Sequence, residues 1–390
     1  MAAMNAPPPA RLRVLHIIET LGAGGAEQVL VNILPELKSL GVDCELAVLW
    51  PPYTLAEQLE NRGVSVHRLD LKSRWNPLRA LLFLRQMVRE KQITHLHAHL
   101  FFSMFHVAVS RAFFPRLRRV LTFQNQTFIG FPANTLWKKA RRRGESWLTA
   151  HCFDYLTAVS DLVGDHYSEQ LGIDRASIHY VPNGVPLTVG PDNSLDLAAV
   201  RQQYHVPLGA CLIVVPARLI EQKGHFYLFH ALLELRSRGC APVAKVVGKG
   251  PLRDSLMSLV QEHGLETQVE FLPTLPHSDL FPLIQAADLV AMPSLFEGFS
   301  LAQCECMLLE KAVVSTRVGG PIVDGESGVL VPTRNAQALA TAIYDLAQDS
   351  DKRVRLGKAA RKRIVNEFSA ARVAADYLSI YRQLVHSAQR

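Results

Sequence analysis

Glu297 and Glu305 are the two carboxylates of this 390-residue chain whose setting most suggests chemistry. They flank Pro293-Ser294-Leu295-Phe296-Glu297-Gly298-Phe299-Ser300-Leu301, which follows the β-type run Leu289–Met292 and leads into a helical period. Glu297 in the turn is placed to accept hydrogen bonds from neighbouring hydroxyls, and Glu305 on the helix to take a bidentate pair from the 2′ and 3′ hydroxyls of a ribose. Free N–H groups near Phe299, Ser300 and Leu301 would face phosphate oxygens. Acidic residues favour helix starts in any case, so spacing alone leaves two ordinary exposed glutamates as an equal reading.

Two cations form a second group. Arg218 and Lys223 follow the run ending in Pro216-Ala217, with Gly224 next. A planar guanidinium fork and a compact ammonium at the carboxyl end of a strand can clamp a diphosphate, whereas two surface charges in a loop would look the same by spacing. Gly248 and Gly250, in Val246-Val247-Gly248-Lys249-Gly250-Pro251, form a turn suited to lying against a flat base or ribose. Gly24 and Gly25, in Gly22-Ala23-Gly24-Gly25-Ala26-Glu27, follow the first strand and open a helix, where backbone can approach an anion closely. A plain tight turn explains that stretch as well, and its spacing is not G-x-G-x-x-G.

These residues need a scaffold, and the pattern supplies one. Short β-branched runs alternate with helical periods such as Ala26–Leu40 and Pro77–Glu90. Strands are expected at Val14–Ile18, Cys44–Trp50, Ser65–Leu69, Ile93–His97, Val120–Gln124, Leu156–Ser160 and Ile178–Val181. A second set is expected at Cys211–Pro216, Ala244–Val247, Val269–Leu272, Leu289–Met292, Val313–Thr316 and Val329–Val331. Alternating strands and helices argue parallel sheets covered on both faces. The length exceeds what one hydrophobic core supports. Two doubly wound domains follow, with a boundary in the aperiodic stretch Val185–Asn193 and ligands expected in a cleft at the strands' carboxyl ends.

Composition excludes other classes. Hydrophobic residues make up 48% and charged residues 20%, ordinary for a globular protein. No apolar run reaches the ~20 residues of a spanning helix, and the first ten residues lack the pattern of a secretory signal, so a cytoplasmic protein is expected. The six cysteines show no metal-type spacing and read as reduced thiols. The net charge of +7 is concentrated early: the first 185 residues hold 21 Lys and Arg against 15 Asp and Glu. Arg111, Arg116, Arg118 and Arg119 surround Phe113-Phe114, and Lys138, Lys139, Arg141, Arg142 and Arg143 lie between Trp137 and Trp147. Basic and large apolar side chains so interleaved suit an anionic lipid surface, the plain alternative being solvated helix faces. No nucleic-acid motif accompanies the charge, and no nucleic-acid partner is expected.

Taken in order, the motifs resemble glycosyltransferase family 4, retaining enzymes of the GT-B fold and glycosyl transferases group 1 type. The resemblance rests on Gly24-Gly25-Ala26-Glu27, His97-Ala98-His99, Val181-Pro182-Asn183-Gly184-Val185, Arg218 with Lys223-Gly224, Gly248-Lys249-Gly250-Pro251, and Glu297 with Glu305. It covers nearly the whole chain.

The resemblance implies an α/β protein of two Rossmann-like domains facing a cleft. Residues 1–185 would bind the acceptor and 186–370 the nucleotide sugar, and 371–390 would be a helix crossing back to the first domain. It implies a hexosyltransferase-type reaction from a nucleoside-diphosphate sugar to a lipid-linked or polysaccharide acceptor, at the cytosolic face of a membrane, with no cofactor and no metal. Arg218 and Lys223 would neutralise the departing diphosphate, helped by N–H groups at Gly24-Gly25 and Phe299-Ser300-Leu301. Glu297 would hold a donor-sugar hydroxyl, Glu305 the ribose, and His99 would lie near donor sugar or acceptor, with His97 structural. The acceptor hydroxyl would attack from the face the diphosphate leaves. Two departures stand out. Gln124-Asn125 occupies an acceptor-side position where relatives carry His, and the loop Gly319–Gly328 is short and lacks a Glu after its Pro. They motivate one alternative, a catalytically silent scaffold; a nucleotide-sugar 2-epimerase is another.

Overall fold

The computed structural model describes residues 11–129 and 135–386. Two compact units make up the chain: one runs to Gly184 and resumes at Ala370, and the other is Val185–Ser369.

The first unit is built on seven parallel strands: β1 (Arg13–Ile18), β2 (Asp43–Val48), β3 (Ser65–Arg68), β4 (His95–His99), β5 (Arg118–Phe123), β6 (Tyr155–Ala158) and β7 (Ile178–Tyr180). Their order across the sheet is β3-β2-β1-β4-β5-β6-β7. The second unit has six parallel strands: β8 (Leu212–Pro216), β9 (Val243–Val247), β10 (Val269–Leu272), β11 (Leu289–Met292), β12 (Val313–Thr316) and β13 (Val329–Val331), in the order β10-β9-β8-β11-β12-β13. β9, β11 and β12 are buried along their whole length, as parallel strands covered by helices on both faces must be. In each sheet the chain winds outward to one side and then returns to wind to the other. The reversal falls between β1 and β4 in the first sheet and between β8 and β11 in the second. Loops at the carboxyl ends of strands that flank such a reversal diverge and leave a crevice.

All thirteen expected strands form. The largest displacement is at β4, expected at Ile93–His97. Thr94 donates its N–H to Arg13 O (2.9 Å) ahead of the ladder, and pairing with β1 begins at Val14↔His95. β4 is therefore His95-Leu96-His97-Ala98-His99, and its three histidines alternate onto one face of the sheet.

The helix Ala370–His386 returns to the first unit and packs on Gly25–Ser39. Gly184 is needed there, because a Cβ would lie 2.8 Å from the Ala370 Cα; its carbonyl accepts from Asn32 Nδ2 at 3.1 Å. In the second unit Val185 N donates to Phe368 O (2.9 Å). No helix among the described residues is long and apolar enough to cross a membrane.

Candidate functional site

In the second unit, three glycines let three loops pack backbone against backbone. The loop after β8 closes in the 3-10 turn Glu221–Lys223, and Gly224, at φ +64°, starts the helix His225–Ser237. This turn is stitched to the loop after β11: Leu295 N donates to Gln222 O (2.7 Å) and Gln222 Nε2 to Phe296 O (2.8 Å). A Cβ on Gly224 would run into the Pro293 carbonyl oxygen. One on Gly248 would meet the Ala217 carbonyl, and one on Gly250 the backbone of Leu219. Gly248 and Gly250 thus clamp the β9 loop onto the β8 loop.

That packing sets the charges. Lys223 Nζ pairs with Glu297 Oε1, and Ser294 Oγ donates to the same oxygen at 2.8 Å. Both partners are largely covered, with side chains 16% and 12% exposed, so water screens the pair poorly. Arg218 is exposed, and among the described residues no carboxylate pairs with it. Its backbone is held by His225, whose Nε2 donates to Arg218 O at 3.0 Å. The spacing suggested separate duties for Lys223 and Glu297, and the fold joins them in one ion pair. Replacing Gly224 by alanine should be felt here: the left-handed backbone alone costs about 1–2 kcal/mol, and the overlap with Pro293 would push the loops apart. A lower melting temperature together with weaker diphosphate binding is expected; unchanged values of both would contradict the loop contact.

Phe299 turns inward, its ring centroid 5.5 Å from that of Phe368. Ser300 caps the helix Leu301–Leu308, its Oγ accepting from Gln303 N at 3.4 Å, and Leu301 begins that helix. Glu305 lies in the second turn. Burial pushes its carboxyl up to about 7, and the nearest imidazole nitrogen, His277 Nε2, is 4.0 Å away.

In the first unit Gly24 caps the helix Gly25–Ser39 without a side chain. The Glu27 carboxylate occupies the space a Gly24 Cβ would need and accepts from Thr20 Oγ1 at 2.9 Å; Gly25 has open space around it. His99 ends β4 fully buried, and burial pushes its imidazole down to about 3. Its Nε2 lies 3.2 Å from His16 Nδ1, while its Nδ1 has no partner among the described residues. Leu100, next in the chain, sits at φ +71°, a conformation costly for a side-chain-bearing residue and frequent at functional sites. His97 is held on both nitrogens, by Tyr381 Oη and Thr122 Oγ1, each at 2.7 Å. One ring nitrogen from each of His16, His97 and His99 lies within 4.8 Å of the other two, a spacing that could hold a metal ion, and the hydrogen bonds to Tyr381 and Thr122 already engage both His97 nitrogens.

Gln124 follows β5, is buried, and its Oε1 has no partner among the described residues. It lines a small cavity with Asn125, Glu145 and Tyr167; Asn125 Oδ1 accepts from Thr127 Oγ1 at 2.6 Å. A neighbouring cavity of about 150 Å³ shares Glu145 and is walled by Phe101, Phe128, Trp137, Arg141 and Arg142. Arg141 lies 4.0 Å over the Phe101 ring and Arg142 4.6 Å over Phe128. Burial pushes the Glu145 carboxyl up to about 7 against the pull of both arginines. Sequence reasoning missed Glu145, although it is the lone acid beside the basic run 138–143. It also missed His16 and Tyr381, which carry no local pattern.

The first basic cluster is mostly consumed internally. Arg119 is fully buried and donates to the carbonyls of Leu117 (2.6 Å) and Phe114 (2.8 Å), and Arg111 pairs with Asp154 at 2.9 Å. The second cluster stays on the surface: Leu136, Trp137 and Trp147 are exposed along the helix Leu136–Cys152.

Gly24, Gly25 and His99 thus stand at the reversal point of the first sheet, and Arg218, Lys223, Glu297 and Glu305 at that of the second. Two consecutive doubly wound units with such loops define the GT-B class of fold. The profile described as Glycosyltransferase Family 4 matches residues 23–189, and that described as Glycosyl transferases group 1 matches 198–363. The chain belongs to the glycosyltransferases of family 4, group 1 type. It is 34% identical over 203 residues to the D-inositol 3-phosphate glycosyltransferase of Corynebacterium aurimucosum, covering 50% of this chain and 48% of that protein. The match therefore spans about half that relative's length. The alpha-D-kanosaminyltransferase of Streptomyces kanamyceticus is 23% identical over 314 residues, 77% of this chain and 80% of its own. Among solved structures, HepE of Anabaena in complex with UDP and glucose superposes with a TM-score of 0.79 at 21% identity, covering 95% of this chain and 99% of HepE, and so shares the fold.

Proposed function

We propose that this protein transfers a sugar from a nucleoside-diphosphate sugar to a lipid-linked or glycan acceptor, with retention at the anomeric carbon and without a metal ion. The observation that carries this reading is the joined Lys223–Glu297–Ser294 cluster in the loops at the carboxyl ends of β8 and β11, with Arg218 in the β8 loop paired with no carboxylate among the described residues. The bond from the anomeric carbon to the diphosphate breaks, and the acceptor hydroxyl bonds to the same face. A diphosphate oxygen takes the hydroxyl proton. Arg218 and Lys223 hold the negative charge that develops. An ammonium has three donors, so Lys223 can keep one on Glu297 and turn the others to phosphate.

The acceptor side is assigned to Gln124, Asn125 and the cavities walled by Glu145, Arg141 and Arg142. Contact with an anionic membrane falls to the second basic cluster, which is continuous with an aromatic patch. Trp75 packs on Phe101 at 6.0 Å between centroids, and Arg141 covers that same ring. This reading places the protein on the cytosolic face of a membrane.

HepE was solved with UDP and with UDP-glucose, so uridine diphosphate sugars head the donor screen. A saturating donor should raise the melting temperature, and that donor with membrane lipid extract should give a labelled glycoconjugate. Failure of every uridine, guanosine and adenosine diphosphate sugar to bind or react would refute the proposal. Binding without turnover would favour the silent scaffold.

Donor binding should also depend on pH. Glu305 must be ionised to accept two ribose hydroxyls, and its carboxyl is raised to about 7. Affinity should therefore be full above pH 8 and fall as pH drops, approaching about tenfold per unit below pH 7. Calorimetry at pH 6 and 8 measures this. Glu305→Gln should bind weakly at both; a wild-type affinity that is flat across the range would remove Glu305 from the ribose.

A further inference from the structure

The first unit contains a row of buried hydrogen bonds that ends at His99. Strand register builds it, because His16 pairs with His97, His99 with Thr122, and Thr122 with Thr157, each pair projecting to one side of the sheet. The helix Ala370–His386 lays Tyr377 and Tyr381 across that face. Burial holds all three imidazoles neutral at pH 7, so each carries one N–H and one bare nitrogen.

The proton positions follow from the far end. Either hydroxyl can supply the proton of the 2.7 Å contact between Thr157 and Thr122; only with the Thr122 proton is Thr157 Oγ1 left free to donate to Leu121 O (3.4 Å) as well, the order that satisfies both contacts. Thr122 Oγ1 then has only lone pairs left, one for Tyr377 Oη (3.2 Å) and one for His97 Nε2 (2.7 Å). In that order His97 carries its proton on Nε2, and its bare Nδ1 takes the Tyr381 hydroxyl proton at 2.7 Å. Tyr381 Oη can then only accept from His16, whose Nε2 lies 3.4 Å away. That leaves His16 Nδ1 bare, to accept from His99 Nε2 at 3.2 Å. The chain finishes on His99 Nδ1, a lone pair with no partner among the described residues, in a fully buried ring. An unmet buried acceptor is costly, and this one sits beside the strained Leu100.

We propose that Tyr381 is a positioning residue: acting through His16, it fixes His99 as the Nε2–H tautomer, so that His99 Nδ1 accepts a hydrogen bond from a sugar hydroxyl. The ligand class rests on the proposed function; the tautomer does not. A carbohydrate hydroxyl fits because it donates, whereas a phosphate oxygen offers nothing to a bare nitrogen. The relay also gives the last helix a part in the site of the first unit beyond packing.

The test uses the full chain labelled with ¹⁵N-histidine and free of ligand, with the His99 signals assigned by their loss in His99→Gln. The wild type should show a pyridine-type Nδ1 and a protonated Nε2 on His99. Tyr381→Phe should leave a mixture of tautomers and lower kcat about fivefold to tenfold, with donor KM nearly unchanged. Thr122→Val, cutting the same relay at its far end, should do likewise, and Thr122→Ser should restore the wild-type pattern. A protonated His99 Nδ1 in the wild type, or a single unchanged tautomer in folded Tyr381→Phe, overturns the proposal. So does zinc added to the wild type, if it converts His16, His97 and His99 together to metal-bound rings. A fixed tautomer in a protein that transfers no sugar would instead overturn the proposed function alone.

Discussion

Lys223→Ala should lower transfer by about 10²–10³-fold, and Arg218→Ala by a similar factor, the range seen when one preorganised donor to a developing anion is removed. The two losses should differ in character. Lys223 is held by Glu297 before any ligand arrives, so its charge is already aimed and its removal should fall mainly on kcat. Arg218 is exposed and, on the proposed reading, is ordered by the phosphates, so its removal should also raise donor KM. Arg218→Lys should recover little, because an ammonium lacks the fork that grips two oxygens. Chelator should leave the wild-type rate unchanged, since on the proposed reading these cations carry the charge. Steady-state kinetics with a donor from the screen checks all of this, and a rate abolished by chelator would count against it.

Glu297→Ala should cost a comparable factor, about 10²–10³-fold, for a different reason. Its carboxylate anchors Lys223 Nζ and the Ser294 hydroxyl, and on the proposed reading it also holds a donor-sugar hydroxyl. Alanine should therefore weaken binding of the intact donor. Bare nucleoside diphosphate should bind as tightly as to wild type or tighter, because the ammonium no longer shares itself with a carboxylate. Glu297→Gln, which keeps an acceptor oxygen but loses the charge, should fall between. Calorimetry with diphosphate and intact donor separates these cases. Equal weakening of both ligands would make Glu297 a support for Lys223 and nothing more.

The sheets were legible in the sequence because parallel strands buried on both faces read as apolar runs, and Leu289–Met292 and Val313–Thr316 fall where the pattern puts them. The Arg218, Lys223 and Glu297 loops were legible because glycines and charges cluster after those runs. What stayed hidden depends on partners distant in sequence. The start of β4 is set by Arg13, some eighty residues away, so β-branched Ile93-Thr94 misled the boundary and His99 was placed beyond the strand instead of within it. Gly248 and Gly250 read as ligand glycines from sequence, and their close approach to the backbone of Ala217 and Leu219 needed the fold to appear. Arg119 reads as surface charge beside Arg118, yet the strand alternation turns it inward onto four acceptors. Glu145 needed the fold to bring it beside Gln124.

The most direct test compares the affinities of a nucleoside diphosphate and of the same nucleoside without phosphates, in wild type and in the Arg218→Ala/Lys223→Ala double variant, all in chelator. The diphosphate should bind the wild type far more tightly than the nucleoside does, and in the double variant that advantage should disappear while nucleoside affinity stays the same. If the advantage persists with both cations gone, the diphosphate charge is met elsewhere and the assignment of Arg218 and Lys223 is wrong.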